Sequence, residues 1–114
     1  MRIRVSENDL SRQKADLAVC FAFEGDRGPR GVEETELARE LAARMRAEGF
    51  RGRPGDRVVW SADGRYGAPR FLVIGLGRPS EIPGEAIRAG CARAARQAAR
   101  FSAKRLALRL PDKG

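Results

Sequence analysis

The stretch from Phe71 to Pro111, FLVIGLGRPSEIPGEAIRAGCARAARQAARFSAKRLALRLP, constrains the fold more than any other part of the chain. It reads as a strand apolar on both faces, a Gly-x-Gly turn, a long helix with one face of small residues, and a second strand ending at proline. Strand, helix and strand in that order form a β-α-β unit, which places the chain in the α/β class.

The upstream half extends this pattern. From Asp16 to Phe23 both alternating sets are apolar, Leu17, Val19, Phe21 and Phe23 against Ala18, Cys20 and Ala22. A strand buried on both sides belongs in the middle of a sheet. Arg2 to Val5 alternates charged and apolar, which predicts an edge strand with one wet face. Leu37, Leu41 and Met45 at i, i+4 and i+8 predict a helix over about residues 33–48, with acids in its first turn and Gly49 ending it. Within it, Glu40 is placed to pair with Arg44. A short strand over 57–60 and a turn at Asp63-Gly64 lead to a second central strand over 71–74.

The second helix is expected from Pro83 to about Ala103, and the last strand over 106–110. Around that helix Ile87, Gly90, Cys91, Ala94, Ala98 and Phe101 share one arc, with Arg93, Arg96, Arg100 and Lys104 on the opposite one. The order is β-β-α-β-β-α-β, a mixed sheet in a single domain spanning residues 1–114. Two helices are too few to cover both faces of both central strands. Some sheet surface is therefore expected to await another element or a partner.

Composition excludes several chemistries. The 114 residues include no histidine, so Ser-His or Cys-His nucleophile pairs and imidazole-ligated zinc are out of reach. Cys20 and Cys91 lie far apart and read as buried reduced thiols. No catalytic residue, metal ligand or cofactor is expected. The beginning, MRIRVSEND, has no apolar signal core, and no run is long enough to cross a membrane, so a cytoplasmic chain without a membrane partner is expected. The charge is one-sided: 23 Lys and Arg oppose 15 Asp and Glu for a net +8, and only three of the 23 are lysines.

Five phrases in this order resemble the N-terminal domain of the leucyl aminopeptidase (cytosol aminopeptidase) family. They are ADLAVCFAFEG (15–25), FRGRPGD (50–56), RFLVIGLGRPSEI (70–82), EAIRAGCARAARQA (85–98) and LALRLP (106–111). The resemblance implies a macro-domain-like three-layer α/β/α fold and a non-catalytic role in organising an oligomer, beside a separate two-metal peptidase domain. Partners would be the chain itself or a catalytic aminopeptidase domain. The family domain usually continues through a further helix and final strand, so this stretch is expected to be truncated before its last helix.

Two binding regions stand out. The loop Gly25, Asp26, Arg27, Gly28, Pro29, Arg30, Gly31 precedes a helix start and offers backbone N–H groups with two arginines, the makings of an anion cradle. By its macro-like fold it is a candidate for a nucleotide such as ADP-ribose, although Glu33, Glu34 and Glu36 crowd the same helix start. The stripe Arg93, Arg96, Arg100 and Lys104 matches a phosphate-backbone footprint, with DNA as the candidate partner; a solvated or oligomer-facing surface is the plainer account. Gly75-Leu76-Gly77 opens like a dinucleotide fingerprint but has Ser80 at the third glycine position, and a tight strand exit explains it as well.

Overall fold

A computed structural model describes residues 1–7, 9–79 and 83–111. Ser80 and residues 112–114 of the sequence argument lie outside the described residues. Five strands, β1 (Arg2–Val5), β2 (Leu17–Ala22), β3 (Arg57–Ser61), β4 (Arg70–Gly75) and β5 (Arg105–Leu108), form one sheet in the order β1-β5-β2-β4-β3. The neighbours β1–β5, β5–β2 and β2–β4 are parallel, whereas β3 runs antiparallel to β4. The two helices are α1 (Thr35–Ala47) and α2 (Pro83–Arg100). The predicted order of elements and the central places of β2 and β4 hold.

All six residues of β2 are buried, and its alternation divides the core in two. Ala18, Cys20 and Ala22 join Phe71, Val73 and Val58 under Leu37, Leu41 and Met45 of α1. Leu17, Val19 and Phe21 join Leu72, Ile74, Leu106 and Leu108 under Ala94 and Ala98 of α2. One helix therefore lies on each face of the sheet, giving three layers. α2 approaches closely because Gly90 lacks a side chain: a Cβ there would lie 2.6 Å from Leu76 Cδ2 and 3.1 Å from Phe21 Cε1.

Local chemistry sets the boundaries. Glu34 precedes α1 rather than forming its first turn, because its carboxylate accepts the Leu37 N–H at 2.7 Å and acts as the cap. Within α1, Arg44 pairs with Glu48, while Glu40 lies 3.9 Å from Arg65 across the loop. The expected Glu40–Arg44 pair is thus replaced by two others. α2 ends at Arg100, three residues earlier than expected, where Ser102 takes a positive φ of 54° and Ala103 N–H returns to the Ala98 carbonyl at 2.9 Å. Lys104 consequently leaves the helix. Asp16 then fastens the start of β5, accepting N–H bonds from Arg105 at 2.8 Å and Lys104 at 2.7 Å that hold its carboxyl below the usual value.

β1 departs from the expectation of one wet face. Both its faces are exposed, with Ile3 and Val5 each 54% accessible, because neither helix reaches the β1 end of the sheet. Cys20 is buried as anticipated, but Cys91 is only half-buried on the flank of α2. The turn at Asp63-Gly64 forms, both residues having positive φ and Arg65 N–H donating to the Ala62 carbonyl at 3.1 Å.

Candidate anion-binding groove

The spacing of i, i+3 and i+7 places Arg93, Arg96 and Arg100 along one side of α2. Helical rise puts about 10 Å between the first and last of them. That side borders the antiparallel edge of the sheet rather than pointing directly away from it. Arg57, the first residue of β3, stands across a groove of about 280 Å³ from the three. Gln97 lines it from the helix, with Ile74 and Gly55 toward the sheet. Lys104, the fourth member of the sequence stripe, lies beyond the helix end and does not line the groove.

The groove contains one acid, Asp56, and its charge is already engaged. The carboxylate accepts N–H bonds from Arg51 at 3.0 Å and Arg53 at 3.2 Å, closing the turn before β3. Among the described residues, none of Arg57, Arg93, Arg96 and Arg100 has an ion-pair partner. Some arginines elsewhere are matched, Arg30 with Asp26, Arg44 with Glu48 and Arg109 with Glu33, so the groove differs in gathering several unmatched ones at one place. The groove is thus a local surplus of positive charge, with planar donors suited to oxyanions. Sequence reading missed Arg57, since only strand pairing brings it beside residues some 36 or more positions away.

The glycine-rich loop is organised differently. Arg30 donates to both oxygens of Asp26 at 2.8 and 2.9 Å, and its guanidinium lies 5.3 Å from the centre of the Phe23 ring. Burial pushes the Asp26 carboxyl up, but the Arg30 hydrogen bonds, the Phe23 N–H and the Arg30 charge together outweigh it and lower its pKa. Gly25 and Gly31 have φ of 92° and 75°, the left-handed turns that favour glycine. Gly28 packs toward Ala42, and Gly31 packs on the Arg109 side chain. Arg27 faces a hollow of about 390 Å³ with Asp26, Arg46, Met45 and Phe50. The Asp26 carboxylate at its rim is the one that Arg30 holds.

The usual crevice at the carboxyl ends of parallel strands is crossed by backbone here. Glu24 N–H donates to the Gly77 carbonyl at 2.8 Å, and Gly77 N–H to the Gly52 carbonyl at 2.7 Å. Gly52, with φ of 80°, sits against the Phe23 carbonyl where any Cβ would collide. Gly77 also has a positive φ of 86°, so the Gly-x-Gly exit serves this tight crossing. No group of three or more His, Cys, Asp or Glu that could hold a metal occurs among the described residues. Nor is any helix among them long and apolar enough to cross a membrane.

Comparison with known proteins gives a consistent result. Residues 19–114 match the family described as cytosol aminopeptidase family, N-terminal domain. A probable cytosol aminopeptidase of Synechococcus sp. (strain JA-2-3B'a(2-13)) is 30% identical over 121 aligned positions, covering 100% of this chain and 23% of the relative. One from Alkaliphilus oremlandii (strain OhILAs) is 25% identical, covering 95% of this chain and 22% of the relative. The chain thus spans about a quarter of the length of these curated relatives. Among solved structures, a tomato leucine aminopeptidase mutant aligns over 99% of this chain and 23% of its own, with a TM-score of 0.71 and 21% identity. The macrodomain of Mycobacterium tuberculosis DarG aligns over 93% of this chain and 74% of its own, with a TM-score of 0.60 and 17% identity. At these identities the structural likenesses speak to fold alone, and the fold is macro-domain-like.

Proposed function

The chain belongs to the cytosol aminopeptidase family through its N-terminal domain, and on that premise we propose that it is a structural and assembly module without peptidase activity of its own. The observation that carries this reading is the match of residues 19–114 to the N-terminal domain, in relatives of which the chain covers only 23%. Three-quarters of each such relative is therefore available to hold the peptidase chemistry. In this reading the 1–114 unit acts in the cytoplasm, packing against a catalytic domain or against copies of itself. The open end of the sheet supports such packing, because Met1, Ile3 and Val5 present apolar side chains there at 54–60% accessibility.

The test has two arms. Incubation with leucine p-nitroanilide and manganese is expected to give no turnover; hydrolysis that chelator abolishes would overturn the non-catalytic reading. Sedimentation velocity over a concentration series is expected to show self-association that Ile3→Lys with Val5→Lys weakens. A monomer at every concentration would remove self-assembly while leaving packing on a catalytic domain to be tested by co-purification.

A further inference from the structure

We propose that the outer edge of β1 receives one further strand from a partner protein, antiparallel to it and alternating acidic with apolar residues. The proposal rests on the assembly reading for its premise that the β1 end is a packing surface. Backbone geometry supplies the edge. Arg2 N–H donates to the Lys104 carbonyl and Ser6 N–H to the Leu108 carbonyl, both at 2.7 Å. Successive residues of a strand turn their backbone groups to opposite sides, so those of Ile3 and Val5 point away from β5. No strand among the described residues lies on that side. The N–H and C=O groups of Ile3 and Val5 thus form a template for strand addition.

Register assigns the chemistry of the partner. Ile3 and Val5 are level with Leu106 and Leu108, so they extend the apolar surface on the α2 side of the sheet. Arg2 and Arg4 are level with Arg105 and Ala107 on the α1 side, and all three arginines are exposed. Asp16, which fastens the start of β5, is engaged by the Lys104 and Arg105 N–H groups. A strand added to β1 therefore sets one row of its side chains against arginines and the other against Ile3 and Val5. In antiparallel pairing Ile3 and Val5 take the hydrogen-bonded positions. Arg2 and Arg4 take the intervening ones, where facing side chains stand closer. A second copy of β1 is the wrong occupant, because a two-fold axis would set arginine opposite arginine. Charges on an edge strand guard it against its own kind. Here they leave a strand bearing glutamate or aspartate admissible.

The experiment titrates the full chain with a labelled peptide alternating glutamate and valine, followed by fluorescence anisotropy and by amide hydrogen exchange in NMR spectra. The peptide is expected to bind and to slow exchange at Ile3 and Val5, while Arg2 and Arg4, already bonded to β5, change little. Arg2→Gln with Arg4→Gln should weaken binding roughly 2- to 30-fold. Arg2→Glu with Arg4→Glu should reverse the choice, admitting a peptide alternating lysine and valine in place of the acidic one. Arg39→Gln with Arg46→Gln, exposed on α1, removes as much charge as the first pair and should leave affinity unchanged. Proline is tolerated on an edge strand where its missing N–H would face solvent. Val5→Pro should therefore keep the fold, checked by circular dichroism, yet bind roughly 2- to 12-fold more weakly than Val5→Ala. The charge reversal decides the matter if Val5→Pro fails to fold. Absence of binding at about 1 mM peptide overturns the proposal, as does an unchanged preference after charge reversal. Equal loss in the α1 control, equal binding of a peptide with the same residues in blocks, or protection at β3 instead would do the same. Equal affinity of Val5→Pro and Val5→Ala also overturns it, by showing that side chains alone hold the peptide. Self-association in sedimentation needs the Ile3 and Val5 side chains but not Arg2 or Arg4, so it reports the assembly reading separately.

Discussion

The two faces of β2 meet their helices in opposite ways. Toward α2 the strand is bulky, with Leu17, Val19 and Phe21, and the helix answers with Gly90, Ala94 and Ala98. Toward α1 the strand is slight, with Ala18, Cys20 and Ala22, and the helix supplies Leu37, Leu41 and Met45. Side-chain volume is provided by the sheet in one interlayer and by the helix in the other. Both arrangements set large residues against small ones across the interlayer, which is how close packing is reached. The lesson is that small residues on a helix do not signal weak packing; they mark where the partner surface stands tall.

Removing bulk from the tall side should have the largest effect. Phe21→Ala is expected to cost about 3–5 kcal/mol in urea denaturation. Cys20→Ala, one residue away but facing α1, should cost less than about 1 kcal/mol. Equal losses at the two positions would break the contrast. Adding bulk to the small side comes next. Gly90→Leu should destabilise by about 1–3 kcal/mol, since its Cβ position already lies 2.6 Å from Leu76 Cδ2. Gly84→Ala on the same helix, where a Cβ would meet nothing within 4 Å, should instead gain about 0.4–1 kcal/mol. If Phe21→Ala and Gly90→Leu are combined, their costs should sum to less than the separate values, because the new side chain enters the space vacated.

The smallest effect is one of reactivity. Burial pushes the Cys20 thiol up to about 12, and its Sγ lies 3.7 Å from the Leu72 carbonyl, which it faces as a weak donor. Burial also raises Cys91, but that thiol is half-exposed on α2. A thiol reagent at pH 8, followed by mass spectrometry, should label Cys91 in the folded protein and Cys20 only on unfolding. Similar rates at the two would mean that the α1 layer opens as readily as the α2 flank.

Much of this was legible in the sequence because it is carried by local alternation. Two interleaved apolar rows in LAVCFA announced a strand with no wet side, and Leu37, Leu41 and Met45 announced the buried stripe of α1. β1 was harder. Arg-Ile-Arg-Val gives the strand and its two rows, but no local pattern says whether a layer will cover Ile3 and Val5. Helix ends were set by single residues: the Glu34 side chain turned back to cap α1, and the Ser102 backbone adopted a positive φ. Those choices moved Lys104 away from the arginines it seemed to join. The groove itself was half legible. Its α2 members share a helical period, while Arg57 arrives only through the β3–β4 pairing and the crossover that lays α2 beside it.

Because β2 assigns tall residues to one side and short ones to the other, the strand imposes an odd–even rule on changes in chain length. Losing a single residue inside it would turn Phe21 toward Leu41 and leave Ala22 beneath Gly90, crowding one layer and hollowing the other. Losing two would restore every side chain to its proper side. Length variation in this family should therefore collect in the connections on either side of the strand, and within it should come only in pairs.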